Sequence, residues 1–270
     1  MTLPRLFAAA LALAGTLAAQ TFIQMTDPQF GMYAKDADFA HETANFEFAM
    51  AAANRLKPAF VVVTGDLLNK AGDAAQAAEY HRIAGKLAPG IQLFNVAGNH
   101  DVGNEPTAES LARYRVLFGA DYYSFRVGDV AGIVLNSNLE KGAEKVPGEA
   151  AGMEAWLRAE LPRLRQAGAK QIVVFQHIPF FLKEAGEADG VFNIPKAVRA
   201  RYLGLLHDYG VRYVFAGHYH HNEQGRDGEL EMVTSAPVGM PLDGAKSGLR
   251  VVTVKGGAIA HQFYDFGELP

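Results

Sequence analysis

Six side chains between positions 27 and 220 carry most of the chemistry this sequence can do: Asp27, Asp66, Asn99, His177, His218 and His220. They offer carboxylate, amide oxygen and imidazole nitrogen. No sulfur joins them, because the 270 residues contain no cysteine, which also excludes a disulfide framework and a thiolate nucleophile. Oxygen mixed with imidazole suits Mn, Fe or Zn better than Ca or Mg, which favour oxygen alone. His218 and His220 are separated by one residue, so in an extended segment both rings would face one centre. Asp66, in a Gly65-Asp66 turn, is the candidate carboxylate to bridge two ions.

Two metal ions roughly 3.5–4 Å apart are well matched to phosphoryl hydrolysis. Such a pair holds a bridging hydroxide as nucleophile, neutralises phosphate oxygens and stabilises the transition state. The leaving alkoxide then needs a proton. His100, next to Asn99 but not required as a ligand, is the candidate donor. Asp101 is expected to hydrogen-bond the His100 imidazole, fix its tautomer and raise its pKa toward neutrality, or else to be structural, bonding backbone N–H groups in its turn.

The elements that precede these residues must bring them together. Short runs rich in Val, Ile and Phe predict strands at Thr21–Thr26, Phe60–Thr64, Ile91–Val96, Tyr122–Val127, Val130–Asn136, Gln171–Gln176 and Val211–Ala216. Three more follow at Glu229–Ser235, Leu249–Val254 and Ala258–Tyr264. Helical patterns cover about Ala37–Leu56, Asp73–Leu87, Thr107–Phe118, Glu149–Gln166 and Lys196–Asp208. The first half reads as strand–helix–strand units, hence parallel strands with right-handed crossovers. The tail reads as consecutive strands in antiparallel pairing. One α/β domain with two sheets packed face to face, helices covering the outer faces, is the economical architecture. Asp27, Asp66, Asn99 with His100, His177 and His218 each follow a different strand. Ligands in α/β sheets bind beyond the carboxyl ends of strands, so these five ends should meet at a single site.

Composition agrees with such a domain. Hydrophobic residues make up 49% and charged residues 20%, enough apolar material for a substantial core. The net charge of −4, without a long basic or acidic run, implies no surface for nucleic acid or anionic lipid. An anionic substrate would need local positive charge, which bound cations can supply. Residues 1–19 stand apart: a short start with Arg5, an apolar stretch from Leu6 to Ala19, and small residues around Ala18. This is the layout of a secretory signal peptide cleaved after Ala18 or Ala19, leaving residues 20–270 as the functional domain. The stretch is shorter than the roughly twenty residues a membrane span needs, so none remains after its removal. A periplasmic or secreted location is expected.

Taken in order, Thr26-Asp27-Pro28-Gln29, Gly65-Asp66, Gly98-Asn99-His100-Asp101, Gln176-His177 and Gly217-His218-Tyr219-His220 resemble the motifs of the calcineurin-like metallophosphoesterases. The resemblance implies a four-layer α/β/β/α sandwich of two mixed sheets. It also implies that Asp27, Asp66 and His220 hold one metal, and that Asp66, Asn99, His177 and His218 hold the other, with His100 as proton donor. Where the family usually has His, this sequence has Gln29, a weaker ligand that loosens the first site or leaves it to water. The purple acid phosphatase branch carries Tyr three residues after the Gly-Asp aspartate; Asn69 stands there, so no iron–tyrosinate centre is expected. Asp27-Pro28-Gln29-Phe30-Gly31 is similar to a subgroup of single-domain serine/threonine phosphatases, as are Asp121-Tyr122-Tyr123-Ser124-Phe125 and Ser247-Gly248-Leu249-Arg250-Val251.

The favoured function is therefore hydrolysis of phosphate monoesters, on a phosphorylated small molecule or phosphoprotein, with two divalent or trivalent ions. A phosphodiesterase of the same family, including one for cyclic nucleotides, and a non-catalytic phosphate-binding protein are the alternatives. His41, His81 and His207 lie in helical patterns and read as surface or partly packed residues, His221 as exposed and His261 as structural. Asn136 and Asn138 are candidates to line the cleft, and Phe180, Phe181, Tyr219 and Met240 either form an apolar rim or pack in the core.

Overall fold

A computed structural model describes residues 19–270, so the export segment expected at residues 1–19 falls outside the described residues except for Ala19. The β-branched and aromatic runs form strands whose two faces are both covered. In β2 (Phe60–Val63) all four residues are buried. Phe60 and Val62 point into an inter-sheet core with Phe22, Val173, Phe175 and Phe215, while Val61 and Val63 pack with helix residues such as Phe46 and Ala49. The same alternation splits β6 (Gln171–Phe175): Val173 and Phe175 face the other sheet, and Ile172 and Val174 face the helices. Period-two alternation between two apolar environments is what a four-layer sandwich demands of its strands.

One sheet has five strands in the order β11-β10-β1-β2-β3, with β1 (Gln20–Met25), β2 and β3 (Gln92–Asn95) parallel. Antiparallel β10 (Gly248–Lys255) and β11 (Ala258–Asp265) complete it on the β1 side. The other sheet has six strands. Parallel β5 (Val130–Val134), β6, β7 (Tyr213–Ala216) and β9 (Leu230–Thr234) form its body, flanked by antiparallel β4 (Tyr123–Val127) and β8 (Glu223–Asp227). Aromatic rings join the sheets: Phe22 stacks on Phe60 at 4.7 Å and meets Phe175 and Phe215 edge-on at 5.7 Å. Helices α1 (Ala40–Leu56) and α2 (Ala74–Ala84) pack on the first sheet, and α6 (Pro147–Gln166) and α7 (Lys196–Asp208) contribute Leu157, Leu161 and Tyr202 to the core. Short α3 (Asn99–Val102), α4 (Ala108–Phe118) and short α5 (Asn138–Lys141) complete the helices of the described residues.

The tail departs from simple consecutive pairing. β9 runs parallel to β7, and β10 crosses to the other sheet to lie beside β1. Strand β8, with the sequence EQGRD, has no apolar alternation to announce it and exists because edge residues of β9 pair with it. Among the described residues no helix is long and apolar enough to cross a membrane.

Candidate active site

Each sheet supplies half of the site. Asp27 and Gln29 follow β1, Asp66 follows β2, and Asn99 and His100 follow β3; His177 follows β6, and His218 and His220 follow β7. Backbone bonds stitch these loops to one another. Asp27 N–H donates to Gly65 O at 3.1 Å, Gln29 N–H to Asp66 O at 2.8 Å, and Gly217 N–H to His177 O at 3.0 Å. The loops approach so closely that a side chain on Gly98 would overlap Asp66, and one on Gly217 would overlap Thr26 and Asp27.

Asp27, Gln29, Asp66, Asn99, His177 and His220 are buried, and His100 and His218 are half-buried. One donor atom from each of Asp66, His177 and His218 lies within 4.8 Å of the others. His177 Nε2 is 3.2 Å from Asp66 Oδ2 and 3.0 Å from Asn99 Oδ1. On the other side, His220 Nε2 is 3.3 Å from Asp27 Oδ1. The histidines share a second feature. His177 Nδ1 faces Thr64 O at 2.8 Å, His220 Nδ1 faces Met240 O at 2.7 Å, His218 Nε2 faces Val191 O at 3.3 Å, and His100 Nδ1 faces Asn69 O at 2.9 Å. A carbonyl only accepts, so each of these nitrogens carries the proton. The opposite nitrogen of each ring is left with a lone pair, the arrangement that orients imidazole ligands on metals.

At His177 that lone pair meets the oxygens of Asp66 and Asn99, so acceptors face acceptors unless a cation or a proton lies between them. Burial opposes a charged His177, yet the Asp66 and Asp27 carboxylates outweigh it and hold the ring's pKa up at about 9. Burial likewise favours neutral Asp27 and Asp66. The imidazoles of His220 and His177 around Asp27, and of His177, His100 and His218 around Asp66, nonetheless keep both carboxyls below their usual range. Burial and the neighbouring His177 push His218 down to about 4. Among the buried oxygens of the described residues that have no hydrogen-bond partner, two belong to this cluster, Asp27 Oδ1 and Gln29 Oε1. Unpartnered buried acceptors of this kind fit cations, and the donor set fits imidazole-accepting ions.

Backbone strain concentrates at the same place. Among the described residues nine other than glycine have positive φ, and five of them are Asp27, Gln29, Asp66, His218 and His220. Left-handed backbone at such residues persists only where the surroundings impose it, and functional sites are where it collects. This corrects the expectation of an extended His218–His220 segment. With φ of 67° and 56° the two residues lie in a bend, and their rings serve different carboxylates, His218 near Asp66 and His220 near Asp27.

Asp101 does not orient His100. Its carboxylate accepts from the backbone N–H groups of Leu67, Leu68 and Gly98, at 3.2, 3.0 and 2.8 Å. Neighbours one apart on a helix do not face each other, and Asp101 sits where it caps α3 instead. Asn136 and Asn138 are fully buried, bonded to Asp121, Ala97 O and each other, and line no cleft. Phe180 and Phe181 are core residues. The carbonyls of Thr64, Asn69, Val191 and Met240 escaped the sequence reading, since a carbonyl leaves no mark on residue type. Phe192, whose ring lies 5.7 Å from that of His218, escaped it too, because nothing near it in sequence carries chemistry.

Residues 21–222 match the calcineurin-like phosphoesterase family. Over 263 residues the chain is 38% identical to the serine/threonine-protein phosphatase CPPED1 of Bos taurus, covering 92% of this chain and 84% of that relative. Among solved structures, the purple acid phosphatase PPD1 of yellow lupin (Lupinus luteus) superposes with a TM-score of 0.71 at 13% identity, covering 94% of this chain and 52% of that one. A dimetal phosphatase from Danio rerio gives 0.59 at 16% identity, covering 91% and 99%. At these identities the structures show a shared fold. The family match over most of the chain, joined to a cluster able to hold metal, places the activity: the chain belongs to the calcineurin-like phosphoesterase family, enzymes that hydrolyse phosphate esters with bound metal ions.

Proposed function

We propose that this chain is a binuclear phosphomonoesterase. Asp27, Gln29, Asp66 and His220 would hold one ion, and Asp66, Asn99, His177 and His218 the other. The observation that carries this reading is the pair of orphaned buried oxygens, Asp27 Oδ1 and Gln29 Oε1, beside the His177–Asp66–Asn99 cluster of facing acceptors. When bound, ions such as Mn, Fe or Zn supply positive charge for phosphate oxygens and lower the pKa of water.

The chain's own groups do the rest. Carbonyls of Thr64, Met240 and Val191 hold three imidazoles with lone pairs turned inward. Asn69 O holds one His100 proton on Nδ1, so the second proton of the imidazolium would sit on Nε2 and pass from there to the leaving oxygen. Asp101 positions the loop from Gly98 through its three backbone bonds. Similarity to a serine/threonine-protein phosphatase supports a phosphoserine or phosphothreonine side chain as the substrate. The composition of residues 1–19 supports export.

Protein purified without chelators is expected to carry two ions per chain by elemental analysis and to release phosphate from a phosphoserine peptide. A cooperatively folded protein that takes up fewer than one ion overturns the binuclear reading. Hydrolysis of bis(p-nitrophenyl) phosphate without any monoesterase activity overturns the monoester preference. Mass spectrometry of the mature amino terminus tests export, and an intact residue 1–19 segment on cytosolic protein would count against it.

A further inference from the structure

Four large hydrophobic side chains are exposed among the described residues, and two of them, Val191 and Phe192, are adjacent and border the site. Val191 is 73% exposed and Phe192 38%. The Phe192 ring meets His218 at 5.7 Å and Tyr219 at 5.2 Å, both edge-on, and the Val191 carbonyl accepts from His218. Their loop is braced on both sides. Lys141 Nζ donates to Gly190 O and Asn193 O, each at 2.5 Å. The Glu187 carboxylate accepts from Leu182 N–H, Lys183 N–H and Asn193 Nδ2, at 2.8, 3.0 and 2.7 Å. The fully buried Arg199 donates to Ile194 O at 3.2 Å and Ala185 O at 2.9 Å. A loop pinned so thoroughly could hide its apolar side chains, yet it presents two of them to solvent beside a candidate metal ligand. Rigid apolar surface next to a few convergent polar groups is what a small-molecule subsite is made of.

We propose that Phe192 and Val191 form an apolar subsite that receives an aromatic or bulky aliphatic group carried beside the phosphate of the substrate. The inference rests on the phosphomonoester reading, because the ring of Phe192 lies 5.7 Å from that of His218, a candidate ligand of that site. On a phosphoserine or phosphothreonine substrate this group is an apolar side chain flanking the phosphorylated residue, and phenylphosphonate stands in for the phosphate and that group together. Phe192 acts on affinity through the organic group and leaves the phosphate's own contacts alone.

Calorimetric binding of phenylphosphonate and methylphosphonate to the Mn-loaded full chain tests this without requiring turnover. The wild-type protein is expected to prefer phenylphosphonate by about fivefold, the scale of one aromatic–aromatic contact. Phe192→Ala should bring the ratio close to one with methylphosphonate affinity unchanged, and Phe192→Leu should retain part of the preference. An unchanged ratio in Phe192→Ala overturns the subsite, as does a parallel loss of both ligands, which would mean that Phe192 only props His218. Failure of the wild type to bind either ligand also overturns it. Preference without any phosphate release from esters would instead sink the enzymatic reading and leave the subsite standing.

Discussion

The buried ionisable side chains around Arg250 and those around Asp66 differ in whether their hydrogen bonds close. Around Arg250, between the sheets, every strong group is matched. Its guanidinium donates to Ser235 Oγ at 2.7 Å, Asn222 Oδ1 at 2.8 Å and His261 Nδ1 at 3.0 Å, and His261 Nε2 in turn faces Glu231 Oε1 at 3.1 Å. Burial, and then Arg250 itself, keep His261 below its ordinary pKa, so the ring is a neutral relay from one charged partner to the other. Around Asp66 the count closes at His177 only through an added proton, and two oxygens are left over. A closed network specifies a fold, whereas an open one of the same residue types is completed from outside. Composition alone does not distinguish them; both contain His, carboxylate and amide.

The sharpest way to break this contrast is Asp66→Asn. It should cut turnover by about a thousandfold or more by removing the shared carboxylate, yet leave the metal-free protein cooperatively folded by thermal melt, weakened only by the lost pairing with His177. Loss of the cooperative melt would mean that the cluster is structural after all. The mirror experiment is Arg250→Met, expected to destabilise by about 3–5 kcal/mol in urea titration, since it strands buried partners. Retained stability would show the closed network to be dispensable. His100→Gln should lower kcat about a hundredfold for an alkyl phosphate and far less for p-nitrophenyl phosphate, whose leaving group needs no proton. Equal losses on both substrates would remove His100 from that role.

Smaller effects refine the same comparison. Chelation should lower the stability of the wild type by about 3 kcal/mol, the linkage expected with ions present at a hundred times their dissociation constant, and should leave Asp66→Asn nearly unmoved. Glu140 offers a minimal open site, a buried carboxyl whose two oxygens lack partners. Burial, and then the nearby Glu154 charge, push its pKa well up against the pull of Arg201. A raised folded pKa means stability that is present below the ordinary carboxylate range and is lost as pH rises, because the unfolded chain releases its proton first. Glu140→Gln should therefore gain about 1 kcal/mol at pH 8 and nothing at pH 4. A uniform gain across pH would point to packing instead of ionisation.

Strand ends were legible because a buried strand must be apolar and a polar residue at its carboxyl end is conspicuous, as with Asp66 after FVVV. Asn99, His177 and His218 stood out in the same way. What determines the tautomers was not legible. The carbonyls of Thr64 and Met240 would serve equally under many side chains, and Asp101 is drawn from His100 by helix geometry that adjacency in sequence does not convey. The edge strand β8 was missed for the converse reason, since the pairing offered by β9 outweighs what EQGRD prefers locally.

The aromatic seam of Phe22, Phe60, Phe175 and Phe215 bears on catalysis although it lies beneath the loops. With Asp27, Asp66 and Asn99 anchored to one sheet and His177, His218 and His220 to the other, sliding between the sheets alters the spacing of the whole donor set. A misplacement of about 1 Å is worth about a hundredfold in rate. Repacking a phenylalanine in that seam thus tunes the enzyme from below, as shimming a hinge alters how two jaws meet.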